Sequence, residues 1–468
     1  MVAVVVVALV CGLGGTAMAA GSVPVFPGDS IQAAVNANPA GTTFVIKAGV
    51  HRRQQVTPKT GSLFVGEDGA ILDGEWALEY AFIGVPGGNG PDNVTIRNLI
   101  IEHYAPGTQA AVIRGGGEAW YWVVEDCEIR ENKNIGLAAS TGWLIRNNYF
   151  HHMGSLGISG AGDFIVVEGN EIAYNNTDNI DSHWEAGGTK FVWSEHLVLR
   201  DNYVHDNKGP GLWLDGNNIY ALYEGNRVIN NYGPGINHEI SHDAVIRNNL
   251  VEGNGFGWTG WVDGAGILVN SSPNVEVYGN TVRYNNDGIA GIHANRGSSS
   301  QYGPYQLKNL WVHDNIIVMN AGQTGVVTNT TDPVFTPSWN NRFDYNTYTL
   351  GTADKYYAWD PWYITTTQWK ATGQDPHSTW PTQPPTTNVL QVADLIGGLI
   401  GHLADIGRDA IEFGGSAPVP PGVTWGLRFG AFGAESNPAE NPQDTLSGSS
   451  LPAARDRHWL QISGWRDQ

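Results

Sequence analysis

Cysteine is nearly absent from this chain, with two in 468 residues. One of them, Cys11, lies in the N-terminal segment 1–19 that reads as a cleaved leader, so Cys127 stands alone and no disulfide framework can form. In V-V-E-D-C-E-I, Cys127 reads as a core residue. Charge is scarce at 15% of residues, and positive charge is scarcer still. Only 25 Lys and Arg face 45 Asp and Glu, a formal net charge of −20. Such a surface argues against nucleic acid, anionic membranes and, more weakly, polyanionic substrates. A neutral substrate is the default unless a bound cation reverses the local field. Long apolar runs are missing as well. Val2–Val10 is too short to span a bilayer and is followed by the small-x-small site Ala17-Met18-Ala19. Residues 1–19 therefore read as a secretory signal peptide, although no Lys or Arg precedes the run, and the protein is expected outside the cell.

What the chain has in quantity is glycine, 61 residues, which suits turns and short strands rather than helices. From about residue 122 a pattern h-x-h-x-x-N-x-h-x-x-N, a short turn and G-h-x-h recurs. Its first Asn falls at 148, 170, 202, 226, 249, 280 and 315, at spacings of 22, 32, 24, 23, 31 and 35. A period near 22–24 with three insertions predicts an all-β right-handed parallel β-helix, with Asn side chains stacked inside its turns. A β-propeller, at about 40 residues or more per repeat, does not fit. The expected order is a helical N-terminal cap and first coil over 20–60, β-helix repeats over 61–350, a C-terminal cap over 351–385 and a Pro/Gly-rich tail over 386–468. Asp29 or Ser30 is placed to N-cap the short cap helix I-Q-A-A-V-N-A.

Aligning leading residues gives N-I-D-S-H (179–183), G-L-W-L-D (211–215), G-I-N-H-E (235–239) and G-I-L-V-N (266–270). Side chains alternate along a strand, so Ile180, Leu212, Ile236 and Ile267 face inward, with Ser182 and His238. Two outward columns follow: Asp181, Trp213, Asn237, Leu268 and His183, Asp215, Glu239, Asn270. Asp215 and Glu239 then sit one strand apart, about 4.8 Å. That is close to the carboxyl separation of a retaining glycosidase, about 5–5.5 Å. Asp and Glu also end strands at ordinary turns of such coils. Here, however, Trp213, Asp181, His183 and His242 surround the pair. Two Trp-bearing inserts, Trp184–Trp193 and Gly255–Gly264 with Trp258 and Trp261, are expected to wall a cleft and stack on sugar rings. Trp213, Asn237, Trp184, Trp193, Trp258, Trp261 and Lys190 are the candidate substrate contacts.

A polysaccharide lyase is the rival enzyme. It would use Lys190, Arg200 or Lys208 as base, with Ca²⁺ on Asp181, Asp215 and Glu239. Against it, Lys190 falls in an insert with no second basic residue in its column, and the surface is acidic. Otherwise no cofactor is expected. A non-catalytic carbohydrate-binding protein would keep the Trp residues and tolerate loss of the carboxylates.

The stretch L-W-L-D (212–215), followed one coil later by H-E-I-S-H (238–242) and then R-N-N (247–249), resembles the catalytic stretch of the β-helical β-xylosidases of glycoside hydrolase family 120. The likeness covers about 35 residues. It implies Asp215 as nucleophile, Glu239 as acid/base and His242 as a supporting residue, on a carbohydrate such as a xylo-oligosaccharide. The chain also resembles secreted bacterial right-handed β-helix repeat proteins at large. The partner expected is a carbohydrate, not nucleic acid or a membrane.

Overall fold

The computed structural model describes residues 21–85, 90–116, 118–359 and 362–383. The signal peptide read at 1–19 and the tail read at 386–468 lie outside the described residues. Ser30 caps the helix Ile31–Ala37 by accepting from the Ala33 amide, and the helix buries Ile31 and Val35 against the first strands. Beyond it the described residues form three long sheets of 13, 12 and 12 strands, parallel throughout except for one terminal hairpin strand, each parallel strand pairing with its equivalent one coil away. This is the right-handed parallel β-helix the Asn spacing predicts. Among the described residues no helix is long and apolar enough to cross a membrane.

The Asn residues explain why the coil closes at those points. Asn148, Asn170, Asn202, Asn226, Asn249, Asn280, Asn315 and Asn346 form one buried ladder. From Asn170 onward each Oδ1 accepts both the backbone amide and the side-chain Nδ2 of the Asn one coil earlier, as Asn226 does from Asn202. Asn175, Asn207, Asn231, Asn254 and Asn285 build a second ladder the same way. A buried amide must satisfy donor and acceptor together, and a stack of identical amides does so. Between the ladders, inward Leu, Ile, Val and Phe form one continuous core. Each contributes roughly 1.5–3 kcal/mol by burial.

The third sheet carries the outward residues of interest. Its strands begin with glycine because the second Asn ladder runs behind them. A Cβ on Gly211 would stand 3.0 Å from Asn231 Nδ2 and 2.6 Å from the Gly235 carbonyl oxygen. The sheet ends in the antiparallel hairpin Tyr357–Trp359/Trp362–Ile364, followed by the helix Thr366–Ala371, which buries Trp369. His238 faces inward, and burial pushes its imidazole down to about 4. It stays neutral, donating from Nε2 to the His242 carbonyl and accepting on Nδ1 from the Tyr223 hydroxyl.

Candidate active site

Asp215 and Glu239 end the adjacent strands Leu212–Asp215 and Ile236–Glu239 and are partners in register, as are Trp213 and Asn237. On the next strand Asn270 stands beside Glu239 and Leu268 beside Asn237. The expected outward columns are therefore present from Trp213 and Asp215 onward.

One coil earlier the expectation is corrected. The strand there is not N-I-D-S-H but Gly187–Phe191, G-G-T-K-F, with Lys190 opposite Ser159 and Phe191 opposite Leu214. Lys190 is thus a strand residue beside Trp213, not part of an insert. Asp181, Ser182 and His183 fall in the loop before the strand, outside both columns. Residues 187 and 188 must approach the next coil closely, and only glycine permits this. A Cβ on Gly188 would meet the Gly211 carbonyl oxygen at 2.4 Å.

This register shift puts a cation in the site. Lys190 Nζ lies 3.0 Å from Asp215 Oδ2 and 3.7 Å from Glu185 Oε2. It also donates to the Trp184 carbonyl and sits 4.1 Å above the Trp213 ring. Glu239 is held from four sides. Oε1 accepts from Arg296 Nη1 at 2.7 Å and Asn270 Nδ2 at 3.3 Å. Oε2 accepts from Trp213 Nε1 at 3.2 Å and Asn237 Nδ2 at 3.3 Å. Burial pushes the Glu185 carboxyl above the usual range. Lys190 and Gln109 act against that rise, and the Asp215 charge adds to it. Three carboxylates and two cations therefore share one patch of the sheet.

Trp213 is 2% exposed and Asn237 is fully buried. Both shape the floor and orient Glu239 rather than offering an open platform for a sugar. Most of the expected insert Trp184–Trp193 is thus strand, and it is the loop before it that touches the insert 255–264: Trp258 stacks on His183 and donates from Nε1 to Ser182 Oγ at 3.0 Å. Trp258 is buried, whereas Trp184, Trp193 and Trp261 keep open surface. Trp261 is tied through its carbonyl to the Tyr363 hydroxyl. His183 is occupied by Trp258 and by Asp181, 3.3 Å from its Nδ1, and does not stand beside Asp215. His242 is also displaced from its expected role. Its ring packs against Tyr302 and Tyr305 and lines a cavity of about 380 Å³ behind residues 294–308. Burial holds it below its ordinary value.

Asp181, Asp215 and Glu239 do not converge on one point. Among the described residues the acidic and histidine group close enough to share an ion is Asp73, Glu102 and His103. It lies away from this site and is paired with Arg52 and Arg130. Arg200 pairs with Glu168, and Lys208 bonds Asn179.

Sequence reasoning missed Glu185, Gln109, Arg296 and the tyrosine pair. The Tyr305 hydroxyl donates to Asn217 Oδ1 at 2.5 Å, and Tyr302 bonds Glu195, pinning the 294–308 segment that carries Arg296. The 35-residue spacing from Asn280 to Asn315 is the available signal for that third insert.

Residues 109–282 match the family model described as right handed beta helix region. Among solved structures, the chain is similar to XylC in its complex with xylose: 12% identity, TM-score 0.53, covering 76% of this chain and 83% of that one. It is also similar to the A-module of Azotobacter vinelandii mannuronan C-5 epimerase AlgE4: 17% identity, TM-score 0.50, covering 75% and 94%. Among curated proteins, the tail spike protein of Salmonella phage epsilon15 is 27% identical over 135 residues, 27% of this chain. That match spans 12% of the tail spike's own length.

Proposed function

We propose that this chain is a carbohydrate-active enzyme: a retaining glycoside hydrolase, acting outside the cell on a neutral saccharide such as a xylo-oligosaccharide. The observation that carries the reading is the in-register pairing of Asp215 with Glu239 on neighbouring strands. It suits two carboxyl groups flanking one glycosidic bond, about 5 Å apart. Asp215, beside Lys190, is the nucleophile that attacks the anomeric carbon. Glu239 protonates the departing oxygen and later deprotonates the water that frees the sugar. Arg296 covers Glu239 Oε1, so a departing oxygen reaches that atom once the contact opens, and Arg296 sits on an insert rather than on the sheet.

An elimination reaction on a uronate is the second reading, favoured by Lys190 and Arg296 beside the carboxylates. Lys190 is a poor base, because its ammonium is committed to Asp215, the Trp184 carbonyl and the Trp213 ring. Product analysis on neutral and uronic polysaccharides separates the two. New reducing ends without unsaturated-uronate absorbance are expected, and a rise in that absorbance overturns the hydrolase. Asp215→Ala is expected to be inert on every glycoside. Glu239→Ala with azide is expected to release a glycosyl azide of retained configuration from an activated aryl glycoside.

A further inference from the structure

The reaction proposed above leaves one carboxyl of the site unused. Glu185 ends the loop before Gly187–Phe191, its side chain largely buried. It accepts from Gln109 Nε2 at 3.3 Å. On its other side stands Lys190 Nζ, 3.7 Å away, whose nearer partner is Asp215 at 3.0 Å. Lys190 is 6% exposed. One buried ammonium therefore lies between two carboxylates and favours Asp215.

We propose that Glu185 is a positioning residue of the retaining reaction, receiving the Lys190 ammonium whenever Asp215 gives up its charge. The proposal rests on the hydrolase reading. In the first step an Asp215 oxygen bonds the anomeric carbon. The glycosidic C–O bond breaks, and its electron pair stays on the departing oxygen, which takes the proton from Glu239. Asp215 changes from anion to ester, and Lys190 loses its nearer counter-charge. A buried cation without a partner is strongly unfavourable. A small movement of Nζ toward Glu185 restores a pair. When water cleaves the ester, the Asp215 carboxylate returns and draws Nζ back. The resting arrangement suits this exchange. Burial and the Asp215 charge both disfavour ionised Glu185, while Lys190 and Gln109 favour it. Esterification removes the Asp215 charge from the opposing side.

The two half-reactions test the idea on the full chain. The probe is 2,4-dinitrophenyl 2-deoxy-2-fluoro-β-xyloside, with the gluco and galacto analogues run beside it. Rates of inactivation and of reactivation are read separately. In Glu185→Gln, Lys190 has only Asp215 to pair with, so the ester is disfavoured and the departing carboxylate favoured. Inactivation is expected to slow on the order of tenfold, the scale of one unit of charge preference, while reactivation speeds up several-fold. Glu185→Asp is expected to restore part of both. General damage to the site slows both steps together, and that result overturns the proposal, as does no change in either. Gln109→Met removes the other support of ionised Glu185 and is expected to shift the steps in the same opposite directions, less strongly. It carries the test should the Glu185→Gln variant fail to fold. Labelling of Asp215 in the unsubstituted protein, with no opposite shifts in the variants, sinks the Glu185 role alone. Absence of any labelling by all three probes removes the covalent step, and both readings fall.

Discussion

His183 lies flat against Trp258, ring centroids 4.0 Å apart and planes 9° apart. With the Trp258–Ser182 hydrogen bond, this contact joins a loop and an insert separated by 76 residues into one wall beside the carboxylate pair. Neither belongs to the coil, so each depends on the other for its position. An aromatic pair of this kind is worth about 0.5–1.5 kcal/mol, and a hydrogen bond about 1 kcal/mol. Trp258→Ala is expected to speed amide hydrogen exchange across residues 179–186 while barely moving the unfolding midpoint. Unchanged exchange there would show that the 179–186 loop holds itself.

As an insert residue, Lys190 would be dispensable for catalysis. Its position on the strand, 3.0 Å from Asp215, reverses that expectation. Removing one partner of a buried pair strands the other, at about 3–5 kcal/mol. Lys190→Met is expected to lower the midpoint and to abolish most turnover. Lys190→Met combined with Asp215→Asn is expected to be more stable than the sum of the single losses, by about 1–3 kcal/mol of coupling. Additive midpoints in denaturant would mean that the contact contributes nothing.

The coil is legible because its signal is a strict period. Asn148 through Asn315 must stack to satisfy one another, so their spacing records the geometry directly. Asp215 and Glu239 inherit the right register from it. The error one coil earlier arises because N-I-D-S-H and G-G-T-K-F both offer a five-residue strand. The discriminating sign is the glycine at 188, which occupies the same close approach to the Asn ladder as Gly211. Other contacts leave no local trace. Gln109 meets Glu185 across 76 residues, and Arg296 meets Glu239 across 57. Such pairs are set by where inserts fold back, which no period encodes.

Asp287 gives a stability change with pH that can be assigned to one group. Its carboxyl accepts from the Gln323 amide and Asn286 Nδ2, each at 2.9 Å. Burial nevertheless raises it from 3.8 to about 6. The folded state therefore holds this proton more tightly than the unfolded chain. The associated stability is full below about pH 4, is lost as pH rises to about 6 and is flat above, roughly 3 kcal/mol in all. Asp287→Asn is expected to remove that slope. The difference in midpoint between the two proteins should favour wild type most at pH 4 and shrink toward pH 7. A difference independent of pH would mean the carboxyl titrates alike in both states.

Arg296 tests how Glu239 is made ready. Its guanidinium is 2.7 Å from Oε1 and so occupies an oxygen from which a departing group would take its proton. An acid catalyst needs the proton, whereas a substrate with an excellent leaving group does not. Arg296→Met should therefore help, in relative terms, those substrates whose leaving oxygen must be protonated. The expected result is a several-fold rise at pH 7 in the ratio of kcat on a xylobiose-type glycoside to kcat on a 2,4-dinitrophenyl glycoside. Should Arg296 instead bind substrate hydroxyls, both rates fall together and KM rises on both. That outcome would leave the Asp215–Glu239 pair in place but remove the gating role of Arg296.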